Sequence, residues 1–148
     1  LIYLSGGNPK HLARTLIDTP VWEAIHRAWR QGASLAGCSA GAMALSGYVP
    51  DIRHPRSGGQ DGLGLVPELR VLPHFDVYGK WIPDIVMRPL LSESTTVIGI
   101  DEQTAFRAEP PEDLEQPWSF RGVGRGSCWR IESDRKYRVN SPMELSVV

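Results

Sequence analysis

One pentapeptide in this sequence has the residue types and spacing of a nucleophilic serine turn. The segment Gly37–Gly41 reads Gly-Cys-Ser-Ala-Gly, which places Ser39 midway between two glycines. In a sharp strand-to-helix turn this pattern exposes the serine hydroxyl, and the small neighbours let two backbone segments approach closely. The N–H of the next residue, Ala40, then points to the place where a tetrahedral oxyanion would form. The pattern predicts a serine hydrolase if a strand precedes it and a helix follows it.

Cys38 is a competing nucleophile, since class I glutamine amidotransferases use a cysteine at a turn of this kind. The same pattern centred on Cys38 would need glycines at positions 36 and 40, and both are alanine. We therefore expect Cys38 to be a buried neighbour that packing makes inert. Ser39 is the predicted nucleophile.

A serine hydroxyl needs a base to accept its proton, and histidine is the usual base at neutral pH. His74 follows a predicted strand at its carboxyl end, where open α/β sheets place their catalytic groups. His11 and His26 lie in predicted helices and His54 in a predicted surface loop, where packing or solvation explains them. His74 is therefore the predicted base.

The imidazole in turn needs a carboxylate that fixes its tautomer and stabilises the imidazolium. Asp101 and Glu102 directly follow the apolar run Val97–Ile100, again at the carboxyl end of a predicted strand. Asp51 and Asp76 are further candidates. Each of these carboxylates could instead cap a helix or anchor a loop, so position alone does not identify which of them orients the imidazole.

A second oxyanion donor is expected from another loop at the same sheet edge. The loop Ser5–Asn8 follows the first predicted strand and contains Gly6 and Gly7. Glycine lets a backbone N–H approach a substrate closely, which makes Gly7 our candidate donor beside Ala40. The alternative is an ordinary tight turn between a strand and a helix.

The elements that must position these groups alternate along the first part of the chain. Short apolar runs predict buried strands, and stretches with helical spacing of apolar residues lie between them. This alternation predicts an α/β fold with a mainly parallel sheet. The predicted strands are Leu1–Leu4, Ser34–Gly37, Val71–Leu72 and Val97–Ile100, and the predicted helices cover residues 9–17, 20–31, 40–45 and 80–91.

The rest of the chain has a different pattern. Residues 50–64 are rich in glycine, proline and aspartate, which predicts a surface loop. A linker over Ala108–Pro117 leads into alternating residues broken by glycines over Phe120–Ile131. These features predict β-hairpins at one edge of the sheet.

Bulk composition restricts the function classes. The chain has 148 residues, of which 41% are hydrophobic and 22% charged, as in an ordinary globular domain. A net charge of −1 gives no reason to expect nucleic acid or an anionic membrane as a partner. Two cysteines are too few for a disulfide framework or a zinc site, and they favour a reducing, cytoplasmic setting.

Five motifs occur together in one order and resemble peptidase family S51, which includes dipeptidase E and cyanophycinase. They cover roughly the first 105 residues and are more specific together than the serine turn alone. The motifs are Gly6-Gly7-Asn8, Gly37–Ala42, Gly62-Leu63-Gly64-Leu65, Pro73-His74-Phe75-Asp76 and Gly99–Ala105.

The resemblance implies a three-layer fold similar to class I glutamine amidotransferases, with serine at the cysteine position. It implies Ser39 as nucleophile, His74 as base, and Gly7 and Ala40 as oxyanion-hole donors. Glu102 matches the acid of the cyanophycinase branch, whereas the dipeptidase E branch places its acid soon after the serine turn and keeps Asp51 as the alternative. The implied activity is hydrolysis of a small peptide or related amide, without a metal or other cofactor.

Two features depart from the family pattern. Cyanophycinases carry arginines shortly after the His-Phe pair, and here the stretch Asp76–Trp81 has none, which argues against cyanophycin as substrate. The sequence offers no clear cationic group for the acidic residue that dipeptidase E prefers, and Arg53, Arg56 and Lys80 are no more than candidates. Family members also have βα units before the Gly-Gly-Asn turn, so we expect residues 1–148 to form one hydrolase domain that lacks N-terminal units. The alternative function is a non-catalytic domain that keeps the fold and binds a ligand or partner.

Overall fold

The structure is a computed structural model that describes residues 1–52, 54, 58–79, 82, 84–91, 94–133 and 135–148. It has a mixed α/β arrangement of short helices and several small sheets. The α/β class predicted from the alternating patterns is therefore confirmed at this level. None of the helices in these ranges is long and apolar enough to cross a membrane.

Two N-terminal helices begin at polar capping residues. The side chain of Asn8 accepts a hydrogen bond from a backbone N–H of α1 (Pro9–Leu16), and Thr19 does the same for α2 (Pro20–Arg30). Each cap is followed by a proline at the first helical position, where its missing N–H costs nothing. The later helices are short: α3 (Ala40–Leu45), α4 (Phe75–Tyr78), α5 (Asp84–Met87) and a 3₁₀ turn at Arg88–Leu90.

The predicted helix over residues 80–91 is shorter than expected. Among its described residues the α-helix covers only α5, and the chain then tightens into the 3₁₀ turn. Pro89 explains the change, because proline has no N–H to donate and its ring clashes with the preceding turn of an α-helix. Residues 80, 81 and 83 lie outside the described residues.

The strands form two parallel pairs and several antiparallel ones. Strand β1 pairs in parallel with β2, and β5 pairs in parallel with β6. The other five pairings between the described strands are antiparallel. The strands are β1 (Ile2–Leu4), β2 (Leu35–Gly37), β3 (Tyr48–Val49), β4 (Gln60–Asp61), β5 (Leu69–Pro73), β6 (Thr96–Ile100), β7 (Thr104–Glu109), β8 (Trp118–Gly124), β9 (Cys128–Ile131), β10 (Lys136–Arg138) and β11 (Met143–Leu145).

The prediction of a mainly parallel sheet is wrong for the described strands. Strand β6 pairs in parallel with β5 on one side, but on the other side it pairs antiparallel with β9 from the C-terminal region. A short apolar run shows that a strand is buried but not which strand becomes its neighbour or in which direction. The predicted β-rich C-terminal region is confirmed by β8 to β11.

Strand β7 was not predicted, and it overlaps the predicted linker at Ala108 and Glu109. Its residues alternate between half-buried and exposed, and it lies at the edge of the sheet β11-β8-β7. Phe106 of β7 stacks on Phe120 of β8 with ring centroids 5.2 Å apart, which fixes this edge strand to its neighbour.

Strand β6 lies at the centre of the core. Ile98 is fully buried in a cluster with residues of β5, β8, β9 and β11, and Val97 packs with Leu72 and Leu90 in a second cluster. Burial of each such side chain contributes about 1.5–3 kcal/mol to stability. Helix α3 contacts both β2 and β5, so it links the two parallel pairs.

Cys38 is exposed, whereas Cys128 is buried. The prediction that packing shields Cys38 is therefore wrong. It is the first residue after β2, whose three residues are only partly buried because β1 is its one partner among the described strands. The Cys38 side chain instead hydrogen bonds with that of Tyr3, and this bond raises the pKa of the Tyr3 hydroxyl.

We expect iodoacetamide to alkylate Cys38 and to spare Cys128 in the folded protein. Burial, and then the nearby negative charge of Asp101, raise the pKa of the Cys128 thiol to about 11. At about pH 8 almost none of that thiol is the reactive thiolate, and reagent access is poor as well. Peptide mass mapping after a timed reaction measures both sites, with the unfolded protein as the control in which both cysteines react. Equal labelling of both cysteines in the folded state would contradict the burial of Cys128.

Candidate active site

Ser39 stands at a strained turn between β2 and α3. Its backbone angles, φ 51° and ψ −109°, lie in a region that non-glycine residues rarely adopt. The N–H of Cys38 donates to the carbonyl of Leu4 at 3.0 Å, and the N–H of Gly41 donates to the carbonyl of Cys38 at 2.8 Å. The strand and the helix predicted on either side of the serine are both present, so the local structure is that of a nucleophile turn.

Two glycines make this turn possible because three backbone segments meet there. A Cβ added at Gly37 would lie 2.5 Å from the carbonyl carbon of Gly41. A Cβ added at Gly41 would overlap the carbonyl oxygen of Leu4 and lie 2.7 Å from its carbonyl carbon. The neighbouring atoms belong to the backbone and cannot move aside as a flexible side chain would.

Replacing Gly41 with alanine is expected to destabilise the protein by about 2 kcal/mol, as overpacking of a close contact does. The added methyl group forces α3 away from β1 and shifts Ser39 with it. Chemical denaturation measures the loss, and Gly58→Ala serves as a control because a Cβ at that exposed loop position meets nothing within 4 Å. The control carries a positive φ of 71°, so it reports the cost of backbone strain without a close backbone contact at the added Cβ. A Gly41→Ala variant as stable as the wild type would contradict the close packing of the turn.

Three side chains from three different turns form a hydrogen-bonded chain. His74 Nε2 lies 3.0 Å from the hydroxyl oxygen of Ser39, and His74 Nδ1 lies 3.2 Å from Oε1 of Glu102. The side chains of His74 and Glu102 are 38% and 51% exposed, so the chain opens to solvent. A hydroxyl, an imidazole and a carboxylate joined in this order are the arrangement that serine hydrolases use.

The strand registers explain why these residues meet. Strands β5 and β6 run in parallel with Pro73 opposite Ile100, so His74 and the Asp101-Glu102 turn leave the sheet side by side. Strands β1 and β2 run in parallel with Leu4 opposite Gly37, which places Ser5 and the glycines after it beside the serine turn. His74 itself has a left-handed backbone, with φ 53° and ψ 40°.

The other candidate carboxylates have different partners. Asp101 accepts hydrogen bonds from the indole N–H of Trp129 at 3.0 Å and from the N–H of Ser127 at 2.9 Å, so it anchors β9. The Asp51 carboxylate forms an ion pair with Lys10 at 2.9 Å. Of the two acids suggested by the family resemblance, Glu102 is therefore the one that contacts His74.

Asp76, one of the four candidate acids, makes a contact with Glu102 that the sequence did not predict. Its Oδ1 accepts a hydrogen bond from the backbone N–H of Glu102 at 2.9 Å. The only signal in the sequence is its place two residues after His74.

Of the two predicted oxyanion donors, Ala40 directly follows Ser39, and Gly7 lies in a loop whose preceding residue, Gly6, is close to Ser39. Ala40 is buried, with 1% of its surface exposed, at the start of α3. A Cβ added at Gly6 would lie 3.6 Å from the Cβ of Ser39, and Gly7 has φ 135°, a conformation that favours glycine. The loop before α1 therefore reaches the serine, as an oxyanion hole built from two loops requires.

The remaining sequence candidates lie elsewhere. His26 Nε2 is 2.8 Å from the carbonyl oxygen of Val148, and its ring packs against Trp22 and Trp29. The backbone N–H of His54 donates to Asp51. The possible substrate-binding cations Arg53, Arg56 and Lys80 lie outside the described residues. Within the described ranges, no group of three or more His, Cys, Asp or Glu side chains could hold a metal ion.

Comparison with known proteins places this geometry in a family. A family model described as peptidase family S51 matches residues 1–112, which is most of the chain. The chain belongs to peptidase family S51. The resemblance seen in the five motifs is therefore confirmed.

The chain is similar to curated cyanophycinases and to a peptidase of known structure. Cyanophycinase from Trichormus variabilis is 32% identical over 95% of this chain and 48% of its own length. Cyanophycinase from Synechococcus elongatus is 26% identical over 97% of this chain and 47% of its own length. The crystal structure of a peptidase from an acI-B1 Actinobacterium is 39% identical, with a TM-score of 0.76, over 98% of this chain and 58% of that one. The chain thus spans about half the length of the curated relatives it matches.

Proposed function

We propose that this S51 family member is a serine-type peptidase or amidase that hydrolyses a small peptide or related amide through an acyl-enzyme on Ser39. The observation that carries the proposal is the chain of contacts from Ser39 Oγ through His74 to Glu102. Membership of a peptidase family and the relatives named as cyanophycinases support the same reaction class.

In the proposed first step, Ser39 Oγ attacks the carbonyl carbon of the scissile amide and His74 Nε2 takes the hydroxyl proton. The bond from serine oxygen to carbon forms, and the carbonyl oxygen becomes an oxyanion. The N–H groups of Ala40 and Gly7 would stabilise that charge, and a single such donor is worth about 10²–10³-fold in rate. Glu102 accepts the Nδ1–H of the imidazole, which leaves Nε2 free to act as the base.

The tetrahedral intermediate then collapses and the carbon–nitrogen bond breaks. The imidazolium of His74 gives its proton to the departing amine, which leaves an ester on Ser39. A water molecule attacks this ester, with His74 acting again as base, and releases the acid product and the serine hydroxyl. Every proton passes through Nε2, so the reaction needs no group beyond those described.

The proposed substrate is a small peptide rather than cyanophycin. The described residues after His74, namely Phe75 to Gly79, include none of the arginines that cyanophycinases carry at this place. Tyr78 packs edge-on against the His74 ring with centroids 6.1 Å apart and is 60% exposed, so an aromatic side chain lies beside the site.

We further propose that the whole domain has a three-layer fold of the class I glutamine amidotransferase type. We propose the cytoplasm as its compartment, because both cysteines are free.

A fluorophosphonate probe tests the proposal directly. The folded protein is expected to gain one phosphonyl group, which peptide mass mapping should locate at Ser39 and at no other serine. Protein unfolded in denaturant is the control and should gain none, because reactivity depends on the assembled turn. A folded protein that neither reacts with the probe nor hydrolyses any member of a dipeptide and amide library would contradict the proposal and favour a non-catalytic binding domain.

A further inference from the structure

We propose that Asp76 is a positioning residue that holds Glu102 against His74, and this inference rests on the proposed function. Oδ1 of Asp76 accepts a hydrogen bond from the backbone N–H of Glu102 at 2.9 Å. Asp76 lies two residues after His74, in the first turn of α4. One side chain therefore joins the turn that carries the base to the turn that carries the acid.

The Glu102 turn needs such a link because packing does not fix it. The Glu102 side chain is 51% exposed, and Glu102 lies past the end of β6, whose last paired residue is Ile100. The next residue, Gln103, has a left-handed backbone with φ 56°. A half-exposed carboxylate on such a turn keeps one orientation only when hydrogen bonds restrain its backbone.

The restraints on this turn act on both sides of Glu102. The hydroxyl of Thr104 donates to the carbonyl of Glu102 at 3.2 Å and accepts from the N–H of Gly126 at 2.9 Å. These bonds tie the far side of the turn to the loop before β9. The bond to Asp76 is the one that faces His74, and it sets how closely Oε1 of Glu102 approaches Nδ1.

The proposed role of Asp76 requires an acceptor oxygen and does not require a negative charge. An asparagine at the same position keeps an acceptor oxygen for the N–H of Glu102, whereas an alanine removes it. Asp76→Asn is therefore expected to preserve the contact between His74 and Glu102, and Asp76→Ala is expected to loosen it. A residue that acted by its negative charge would show the same loss in both variants.

Nitrogen NMR of the histidine side chains measures the positioning without any turnover. The His74 signal, assigned with a His74→Gln variant, should show the tautomer with a proton on Nδ1 in the wild type and in Asp76→Asn. In Asp76→Ala the other tautomer should become populated, as it should in Glu102→Gln. An unchanged His74 tautomer in Asp76→Ala would overturn the proposal.

The rate of phosphonylation at Ser39 supplies the functional readout. Asp76→Ala is expected to lower it about tenfold, as loss of one hydrogen bond to a group in the chain would, and Asp76→Asn should stay near the wild type. In a Glu102→Gln background, Asp76→Ala should add almost nothing, because Asp76 acts only through Glu102. If Asp76→Ala lowered the rate of phosphonylation as much in the Glu102→Gln background as in the wild type, the proposal would be overturned.

A control separates this effect from general loosening of surface loops. Asp113 is also an exposed aspartate whose Oδ1 accepts a backbone N–H, that of Glu115 at 3.1 Å, in the loop between β7 and β8. Asp113→Ala should leave both readouts unchanged, and an equal effect there would count against Asp76. A wild type that fails to react at Ser39 overturns the proposed function, and the His74 tautomer then still decides the role of Asp76.

Discussion

Replacing Ser39 with alanine is expected to lower kcat for peptide hydrolysis by about 10⁶-fold while leaving the fold intact. The variant loses the hydroxyl oxygen of Ser39, which lies 3.0 Å from His74 Nε2. Alanine keeps the Cβ of serine and adds no atom, and Ser39 makes no capping hydrogen bond to α3, so the loss reflects chemistry and not unfolding. Steady-state kinetics on the best substrate of a dipeptide library, with circular dichroism at matched concentration, measures both properties.

The neighbouring cysteine provides the matched control for Ser39→Ala. Cys38 is exposed beside the same turn, and Cys38→Ala should keep nearly full activity if serine is the nucleophile. A Ser39→Ala/His74→Gln double variant should be no slower than Ser39→Ala, because the base has nothing to activate once the hydroxyl is gone. Retention of activity in Ser39→Ala together with its loss in Cys38→Ala would transfer the nucleophile role to the thiol.

Replacing Glu102 with glutamine is expected to lower kcat by about 10²-fold with little change in KM. Glutamine can present its amide N–H to His74 Nδ1, which favours the wrong tautomer and removes the charge that stabilises the imidazolium. The effect should be smaller than for a buried triad acid, because water screens a carboxylate that is 51% exposed. The pH dependence of kcat/KM together with single-turnover kinetics distinguishes a slower chemical step from weaker binding.

Asp51→Asn is the comparison that decides between the two candidate acids. The carboxylate of Asp51 pairs with Lys10 at 2.9 Å, so its loss should affect the packing of α1 on the neighbouring loop and leave kcat near the wild-type value. A larger fall in kcat for Asp51→Asn than for Glu102→Gln would make Asp51 the orienting acid.

The residues of the proposed site were predictable because short-range signals mark them. Small residues around Ser39 identify the turn, and the strand ends identify His74 and Glu102 as neighbours on one sheet edge. The choice of Glu102 over three other carboxylates came from the family motif, since spacing alone left all four open. The role of Asp76 was not predictable, because its partner lies 26 residues away along the chain and the contact depends on how two turns leave the sheet.

Features that depend on neighbouring strands were the ones predicted wrongly. The exposure of Cys38 follows from the few strands that pair with β2, and the run Leu35–Gly37 contains no information about those partners. The antiparallel pairing of β6 with β9 has the same origin. Pro89 is visible in the sequence, but the prediction of a helix over residues 80–91 rested on the spacing of apolar residues and did not take this proline into account.

The backbone at Ser39 also limits which amino acids evolution can place there. A residue with φ 51° and ψ −109° has little room for a second heavy atom on Cβ, so threonine would suffer a steric penalty that serine avoids. Cysteine is unbranched at Cβ and fits the same backbone. The backbone at position 39 therefore allows serine to be replaced by cysteine, but it disfavours replacement of serine by threonine.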